Sequence, residues 1–201
     1  MTELFASLLV EGVLDEVVLR HILKRNSKLN IQACYGKQGK QFLQKRISNY
    51  NAAAAFTPFI CLVDLDDDAC PVELIDHWLP EGRNTNLLFR VAVREVEAWL
   101  IADRENFAHY LGVSPAKIPV YPDDEPDPKQ VVINLARQSR IKRVRQNIVP
   151  LPDSTSSVGK AYFSELAAFT LQKWDIEGAS SNSPSLKRAM IAFENFMFQN
   201  E

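Results

Sequence analysis

Apolar and polar residues form two alternating kinds of block along the first half of the chain. Short, nearly continuous apolar runs predict β-strands, and the third run is of the kind that is buried on both faces of a parallel sheet. Between these runs, apolar residues recur at helical spacing. Four strand–helix repeats predict an α/β fold, in which a parallel sheet of about four strands is flanked by helices. The strands are expected at 3–12, 29–37, 56–66 and 84–93, and the helices at 13–26, 40–55, 71–79 and 94–112.

The pattern changes after Gly112. A proline-rich, acidic stretch follows and predicts a linker or an exposed loop. Most of the remaining chain has helical periodicity, with one basic helix over 129–149 and two closing helices. We therefore expect a first domain over 1–112 and a helical extension over 113–201 that packs on it.

Composition adds little to this prediction but excludes several classes of protein. The chain has 201 residues, 46% of them hydrophobic, and a net charge of −2, as in ordinary globular proteins. Cys34, Cys61 and Cys70 form no CxxC pair, which argues against a zinc ribbon or a disulfide scaffold and favours a reducing cytoplasm. We expect no membrane span, because no apolar run approaches the roughly 20 residues required, and no signal peptide, because the first residues carry acids without early Lys or Arg.

Acidic residues follow the first and the third predicted strands. Glu11 comes after the first, and the third ends in the run Asp64, Asp66, Asp67 and Asp68. The carboxyl ends of parallel strands share one edge of a sheet, where ligands bind, and neighbouring strands lie about 5 Å apart. Because like charges this close repel one another, we expect Glu11, Asp64 and Asp66 to converge on a divalent cation. Mg²⁺ or Mn²⁺ suits such oxygen ligands, with Asp68 as a further candidate.

These acidic motifs resemble the signature of the Toprim family. That signature places Glu-Gly after strand one and Asp-x-Asp after strand three, as in "LVEGVLDE" (9–16) and "LVDLDDD" (62–68). Toprim is the acidic module of type II topoisomerases, bacterial primases and nucleases of the overcoming-lysogenization-defect class. The segments "REVEAWLIAD" (94–103), "SRIKRVRQ" (139–146) and "SPSL" (183–186) look like those of a subgroup of small Toprim-like proteins, often encoded beside an ABC/SMC-like ATPase in bacterial defence loci.

The resemblance implies Mg²⁺-dependent or Mn²⁺-dependent hydrolysis of phosphodiester bonds in DNA or RNA. Asp64 and Asp66 would hold the metal, and Glu11 would share it or act as a general acid or base. Lys160 would be a catalytic cation of the kind that some Toprim nucleases use. The chain would then be the nuclease effector of an anti-phage system, with a partner ATPase, and its exposed helices could also form a homo-oligomer.

Independently of the resemblance, Glu95 and Glu97 lie at the end of the fourth strand or the start of its helix, and they would be further metal ligands if that strand lies next to the others. The alternative is that they are ordinary glutamates at a helix start.

Nucleic-acid affinity depends mainly on Lys and Arg, and besides Lys160 two sets of basic residues are candidates. The first set lies in "GKQGK" at the exit of the second strand, and the second set lies in the predicted basic helix. The candidate phosphate contacts are Lys37, Lys40, Arg137, Arg140, Lys142, Arg143 and Arg145.

Each of these assignments has a simpler alternative. Glu11 can be a solvated acid near a helix N-terminus, and the aspartates can form a turn that caps the helix at Pro71. Asp68 and Lys160 can be exposed surface residues, and the basic helix can be a solvated face or can bind an acidic partner. For the whole chain, the alternatives are an enzyme acting on a small phosphorylated metabolite, or a non-catalytic metal-binding or protein-interaction module with a degenerate Toprim fold.

Overall fold

The computed structural model describes residues 3–199, with side chains in the last helix as far as Phe196. Its four strands are β1 Leu4–Val10, β2 Leu29–Gly36, β3 Phe59–Asp64 and β4 Leu87–Ala92. Its helices are α1 Val13–Leu23, α2 Lys40–Gln44, α3 Ile47–Ala53, α4 Pro71–Trp78, α5 Val96–Ile101, α6 Arg104–Leu111, α7 Pro128–Arg137, α8 Lys142–Ile148, α9 Tyr162–Gln172, α10 Ile176–Asn182 and α11 Pro184–Gln199.

The four strands form one sheet in the order β2-β1-β3-β4. All three neighbouring pairs are parallel, with Leu9 opposite Cys61 in the β1–β3 pair. The strand β3 is buried along its whole length until Asp64, as expected for a central strand covered on both faces. The predicted α/β class, with a parallel sheet flanked by helices, is therefore confirmed.

Helices cover both faces of the sheet. Leu9, Cys61 and Phe89 on one face belong to a buried cluster with residues of α2, α3 and α4, among them Trp78. Because side chains alternate along a strand, Leu8, Val10, Ile60 and Leu62, which are also fully buried, point to the other face. The helix α1 packs on β1 and β3.

The chain divides into two compact units. The sheet unit comprises the chain up to Val93 and the chain from Lys187 onward, so α11 from Lys187 onward belongs with the sheet. The helical unit is the continuous stretch Arg94–Leu186. The division thus follows β4 directly, whereas the sequence pattern places it at Gly112.

Three helices predicted as single elements are each interrupted. The basic helix expected over 129–149 is divided into α7 and α8. Ser139 lies between them, and its side chain forms hydrogen bonds with backbone groups. Its hydroxyl donates to the carbonyl oxygen of Leu111 and accepts the Ile141 amide at 2.9 Å. The helix expected over 94–112 breaks into α5 and α6 at Asp103, whose carboxylate accepts the Asp175 amide at 2.7 Å. The helix expected over 40–55 is also divided, into α2 and α3, with Lys45 and Arg46 between them.

Candidate functional site

The β1–β3 pair is the topological switch point of the sheet. The chain leaves β1 toward β2 on one side and leaves β3 toward β4 on the other. In open parallel sheets, a crevice forms at the carboxyl ends of two such strands. Glu11 directly follows β1, and Asp64 is the last residue of β3. The Glu11 Oε1 atom accepts a hydrogen bond from the Asp64 backbone amide at 3.1 Å, so this side chain spans the switch point.

The half-buried carboxyl group of Glu11 lies in an unfavourable environment for a negative charge. Burial is the largest cause, and the nearby carboxylates of Asp15 and Asp66 add to it. The bond from the Asp64 amide and the positive charge of Lys40 act in the opposite direction but do not balance them. The pKa of Glu11 is therefore raised from 4.5 to about 8, so this carboxyl group is largely protonated at neutral pH.

Asp15 is a member of this centre that the sequence pattern did not single out. Only 5% of its surface is exposed, and its Oδ2 atom accepts the Gly12 amide at 2.7 Å. It is the third residue of α1 and closes a capping interaction with the residue before the helix. The spacing Gly12-x-x-Asp15 is the signal that could have identified it. Asp15 thus places a buried carboxylate beside Glu11.

The turn after β3 places two aspartates around a lysine. Asp66 has a positive φ of 52°, and the Asp68 amide donates to the Leu65 carbonyl oxygen at 3.1 Å. The Lys40 Nζ atom lies 3.0 Å from Asp66 Oδ2 and 2.8 Å from Asp68 Oδ2. It also donates to the Leu65 carbonyl oxygen at 3.0 Å. The Lys40 ammonium group therefore forms an ion pair with both aspartates.

The loop "GKQGK" fixes the position of this lysine. The Lys37 amide donates to the Val10 carbonyl oxygen and the Gly39 amide to the Glu11 carbonyl oxygen, both at 2.9 Å. Gly36 is required here because a Cβ atom would lie 2.0 Å from the Val10 oxygen. The loop is thereby tied to the end of β1. Of its two lysines, Lys40 reaches the aspartates, whereas Lys37 pairs with Glu16 at 3.0 Å.

The chemistry of this centre suits a hard divalent cation, but its carboxylates are not grouped around one position. Carboxylate and carbonyl oxygens are the ligands that Mg²⁺ prefers. Across residues 3–199, however, no three His, Cys, Asp or Glu side chains are grouped so that they could bind one ion. The structure brings Glu11 to the backbone of Asp64 and holds Asp66 and Asp68 on Lys40. Convergence of the carboxylates on one metal stays a prediction.

The glutamates suggested as further ligands belong to the helical unit. Glu95, which precedes α5, accepts the Lys129 amide at 2.8 Å and also pairs with the Lys129 ammonium group. Glu97 is 2% exposed and accepts the Tyr162 hydroxyl at 3.1 Å. Burial, followed by the charge of Glu97, raises the pKa of Tyr162 well above its ordinary value. Both glutamates thus have partners within their own unit.

Most basic side chains of α7 and α8 are engaged with neighbours in the helical unit. Arg137 donates to the Asn134 side chain at 2.8 Å, Arg143 pairs with buried Glu165, and Arg145 bonds to the Ser139 carbonyl oxygen. Arg140 and Lys142 are exposed.

Lys160 lies at a cleft of the helical unit with a volume of about 580 Å³. Arg145 and Lys160 supply the positive charge of this cleft, and Leu151 is among its apolar lining residues. The loop that forms it returns to α8 through the Gly159 amide, which donates to the Ile148 carbonyl oxygen at 2.9 Å. The structure therefore places Lys160 with basic residues of its own unit.

Comparison with protein-family models, with curated proteins and with solved structures finds no match for this chain. What the protein does must be inferred from its own residues. Across residues 3–199, no helix is both long enough and apolar enough to cross a bilayer.

Proposed function

We propose that this protein is a nuclease that uses Mg²⁺ or Mn²⁺ at the β1–β3 switch point to hydrolyse phosphodiester bonds of DNA or RNA. The observation that carries the proposal is the contact between Glu11 Oε1 and the Asp64 amide at 3.1 Å. It connects the Glu11 side chain to the Asp64 backbone, and these two residues belong to the segments that resemble the two halves of the Toprim signature. Ligands bind at this edge of a parallel sheet.

In this proposal, carboxylates of the switch point hold the metal and exchange protons with the substrate. Asp64 and Asp66 are the ligands, with Asp68 as a further oxygen donor within the same turn. When bound, the metal would polarise the scissile phosphate. Glu11 shares the ion or transfers a proton at its carboxyl oxygens, and Asp15 adds negative charge beside it.

Basic residues would hold the phosphate backbone of the nucleic acid. In the helical unit, exposed Arg140 and Lys142 and the cleft residues Arg145 and Lys160 are the candidates. The cysteine pattern supports a reducing, cytoplasmic setting. The resemblance to small Toprim-like proteins supports a partner ATPase of the ABC/SMC-like class, so cleavage can require that partner.

The test is cleavage of DNA and RNA by the wild-type protein and by the Glu11→Gln variant, with Mg²⁺ or Mn²⁺ added. The glutamine amide oxygen can still accept the Asp64 amide, so the fold should be retained. Loss of the carboxylate should lower the cleavage rate at least about 100-fold. If the chain alone is inactive, the assays should be repeated with a partner ATPase of the ABC/SMC-like class.

Asp67→Asn is the matched control, because Asp67 is an exposed acid of the same run. It should change the cleavage rate by no more than about twofold. Equal rates for the wild type and the Glu11→Gln variant would show that cleavage does not depend on this centre and would contradict the proposal.

A second candidate function is a non-catalytic interaction module. The observation that favours it is Lys40, whose ammonium group forms an ion pair with each of Asp66 and Asp68. Such a module would bind its partner equally well as wild type and as the Glu11→Gln variant, and would cleave no nucleic acid under any metal condition. The same pair of proteins therefore distinguishes the two functions.

A further inference from the structure

The ammonium group of Lys40 uses its full hydrogen-bonding capacity on the turn after β3. It has three acceptors at 2.8–3.0 Å: the Leu65 carbonyl oxygen, Asp66 Oδ2 and Asp68 Oδ2. An ammonium group has three donors. Three oxygen atoms of this turn therefore surround the Lys40 ammonium group, as oxygen ligands surround a metal ion.

The backbone of Lys40 is held in place independently of this contact. Lys40 is the first residue of α2, and the preceding Gly39, with a positive φ of 86°, bonds to the Glu11 carbonyl oxygen. The backbone next to Lys40 is thus bonded to the end of β1, and the Lys40 side chain extends to the turn after β3. Only 22% of the side chain is exposed.

A dication and this ammonium group would compete for the same oxygen atoms. Asp66 and Asp68 each direct Oδ2 at Lys40, and the two cations would repel one another at such a distance. For Asp66 to serve as a metal ligand through this oxygen, the ammonium group has to leave. Once released, a compact cation on a flexible stem is well suited to a phosphate oxygen.

We propose that Lys40 is a built-in counterion of the acidic centre: it leaves Asp66 and Asp68 when a divalent metal binds, and then contacts a phosphate group of the substrate. The proposal rests on the function proposed above and assigns Lys40 two successive partners. One substitution should therefore have two effects of opposite sign, on metal affinity and on phosphate affinity.

The first measurement is the affinity of the whole protein for Mn²⁺, without substrate, by calorimetric titration. Lys40→Gln removes the competing charge, so Mn²⁺ should bind about tenfold more tightly than to the wild type. The control is Lys45→Gln, which removes the same charge from an exposed position at the end of α2. It should change Mn²⁺ affinity by less than about twofold.

The second measurement is the affinity for short DNA and RNA oligonucleotides with phosphorothioate linkages, which resist cleavage, at saturating Mn²⁺. Lys40→Gln should bind these oligonucleotides several-fold more weakly than the wild type, because the released ammonium group is missing. A merely structural role for Lys40 would weaken metal and oligonucleotide binding together.

Tighter Mn²⁺ binding with weaker oligonucleotide binding supports the proposal. Unchanged or weaker Mn²⁺ binding in Lys40→Gln would overturn it, whatever the cleavage assays show. Absence of Mn²⁺ binding in both proteins would overturn both this proposal and the metal-dependent nuclease. If the two affinities change in opposite directions but no nucleic acid is cleaved, only the nuclease proposal fails.

Discussion

At the scale of single residues, the centre depends on a carboxyl group whose charge is suppressed. Glu11 is enclosed by the switch point and lies beside two further acids, so its pKa is about 8. Its side chain nevertheless has a structural role, because it accepts the Asp64 amide. The same group thus contributes to packing when protonated and is costly to ionise.

This pKa makes stability depend on pH in a defined direction. Between pH 4.5, the ordinary pKa, and about 8, the folded protein keeps a proton that the unfolded chain has released. The free energy of unfolding should therefore fall as pH rises through this window, by at most about 5 kcal/mol from Glu11, and level off above it. Urea denaturation at a series of pH values measures this.

Glu11→Gln provides the comparison, because it has no titrating proton and keeps the acceptor oxygen. The difference in unfolding free energy between the two proteins should change between pH 5 and 8 and then remain constant. A difference that is independent of pH across this window would refute the raised pKa.

The identity of several site residues could be read from the sequence, but not their partners. Glu11, Asp64 and Asp66 follow strands that periodicity predicts, so their common edge was predictable. The ion pairs of Lys40 with Asp66 and Asp68 were not predictable, because they depend on how the loop "GKQGK" bonds to the end of β1. Sequence spacing carries no information about such a contact across 26 residues.

At the scale of elements, the tips of β1 and β2 form the framework of the site. The loop after β2 can approach β1 only because Gly36 has no side chain, and its φ of +97° also favours glycine. The strands and α1 follow directly from apolar periodicity. Apolar periodicity does not predict the interruptions of the longer helices, because these depend on side chains such as Ser139 that form hydrogen bonds with backbone groups.

Gly36→Ala should therefore destabilise the protein more than an ordinary substitution of a left-handed glycine. Gly82→Ala is the matched control: its φ is +95°, but an added Cβ would meet no heavy atom within 4 Å in the described structure. We expect a loss of about 1 kcal/mol for Gly82→Ala and of more than about 3 kcal/mol for Gly36→Ala. Equal losses in urea denaturation would mean that the clash with Val10 is relieved at little cost.

At the scale of the whole molecule, the sheet unit is built from two separate stretches of chain and the helical unit from one. The predicted boundary at Gly112 followed a change in composition, whereas the division follows contacts, which composition does not reveal. The helix α11 extends past the division, and beyond it Ala189, Met190, Phe193 and Phe196 are buried.

Hydrogen exchange can test this division. If α11 from Lys187 onward belongs to the sheet unit, the amides of Ala189–Phe193 should exchange at the rate of the β1 and β3 amides under mildly destabilising conditions. The amides of α5 and α7 are the comparison within the helical unit. Exchange of the α11 amides together with those of α5, and not with β1, would contradict the division.

The interrupted sheet unit has a consequence for the order in which the protein matures on the ribosome. A nascent chain emerges from its N-terminus, so the four strands leave the exit tunnel long before Phe193. The continuous helical unit is complete before the α11 residues Ala189, Met190, Phe193 and Phe196, which are buried in the folded protein, have emerged. The sheet unit begins first along the chain and is thus the last to be completed.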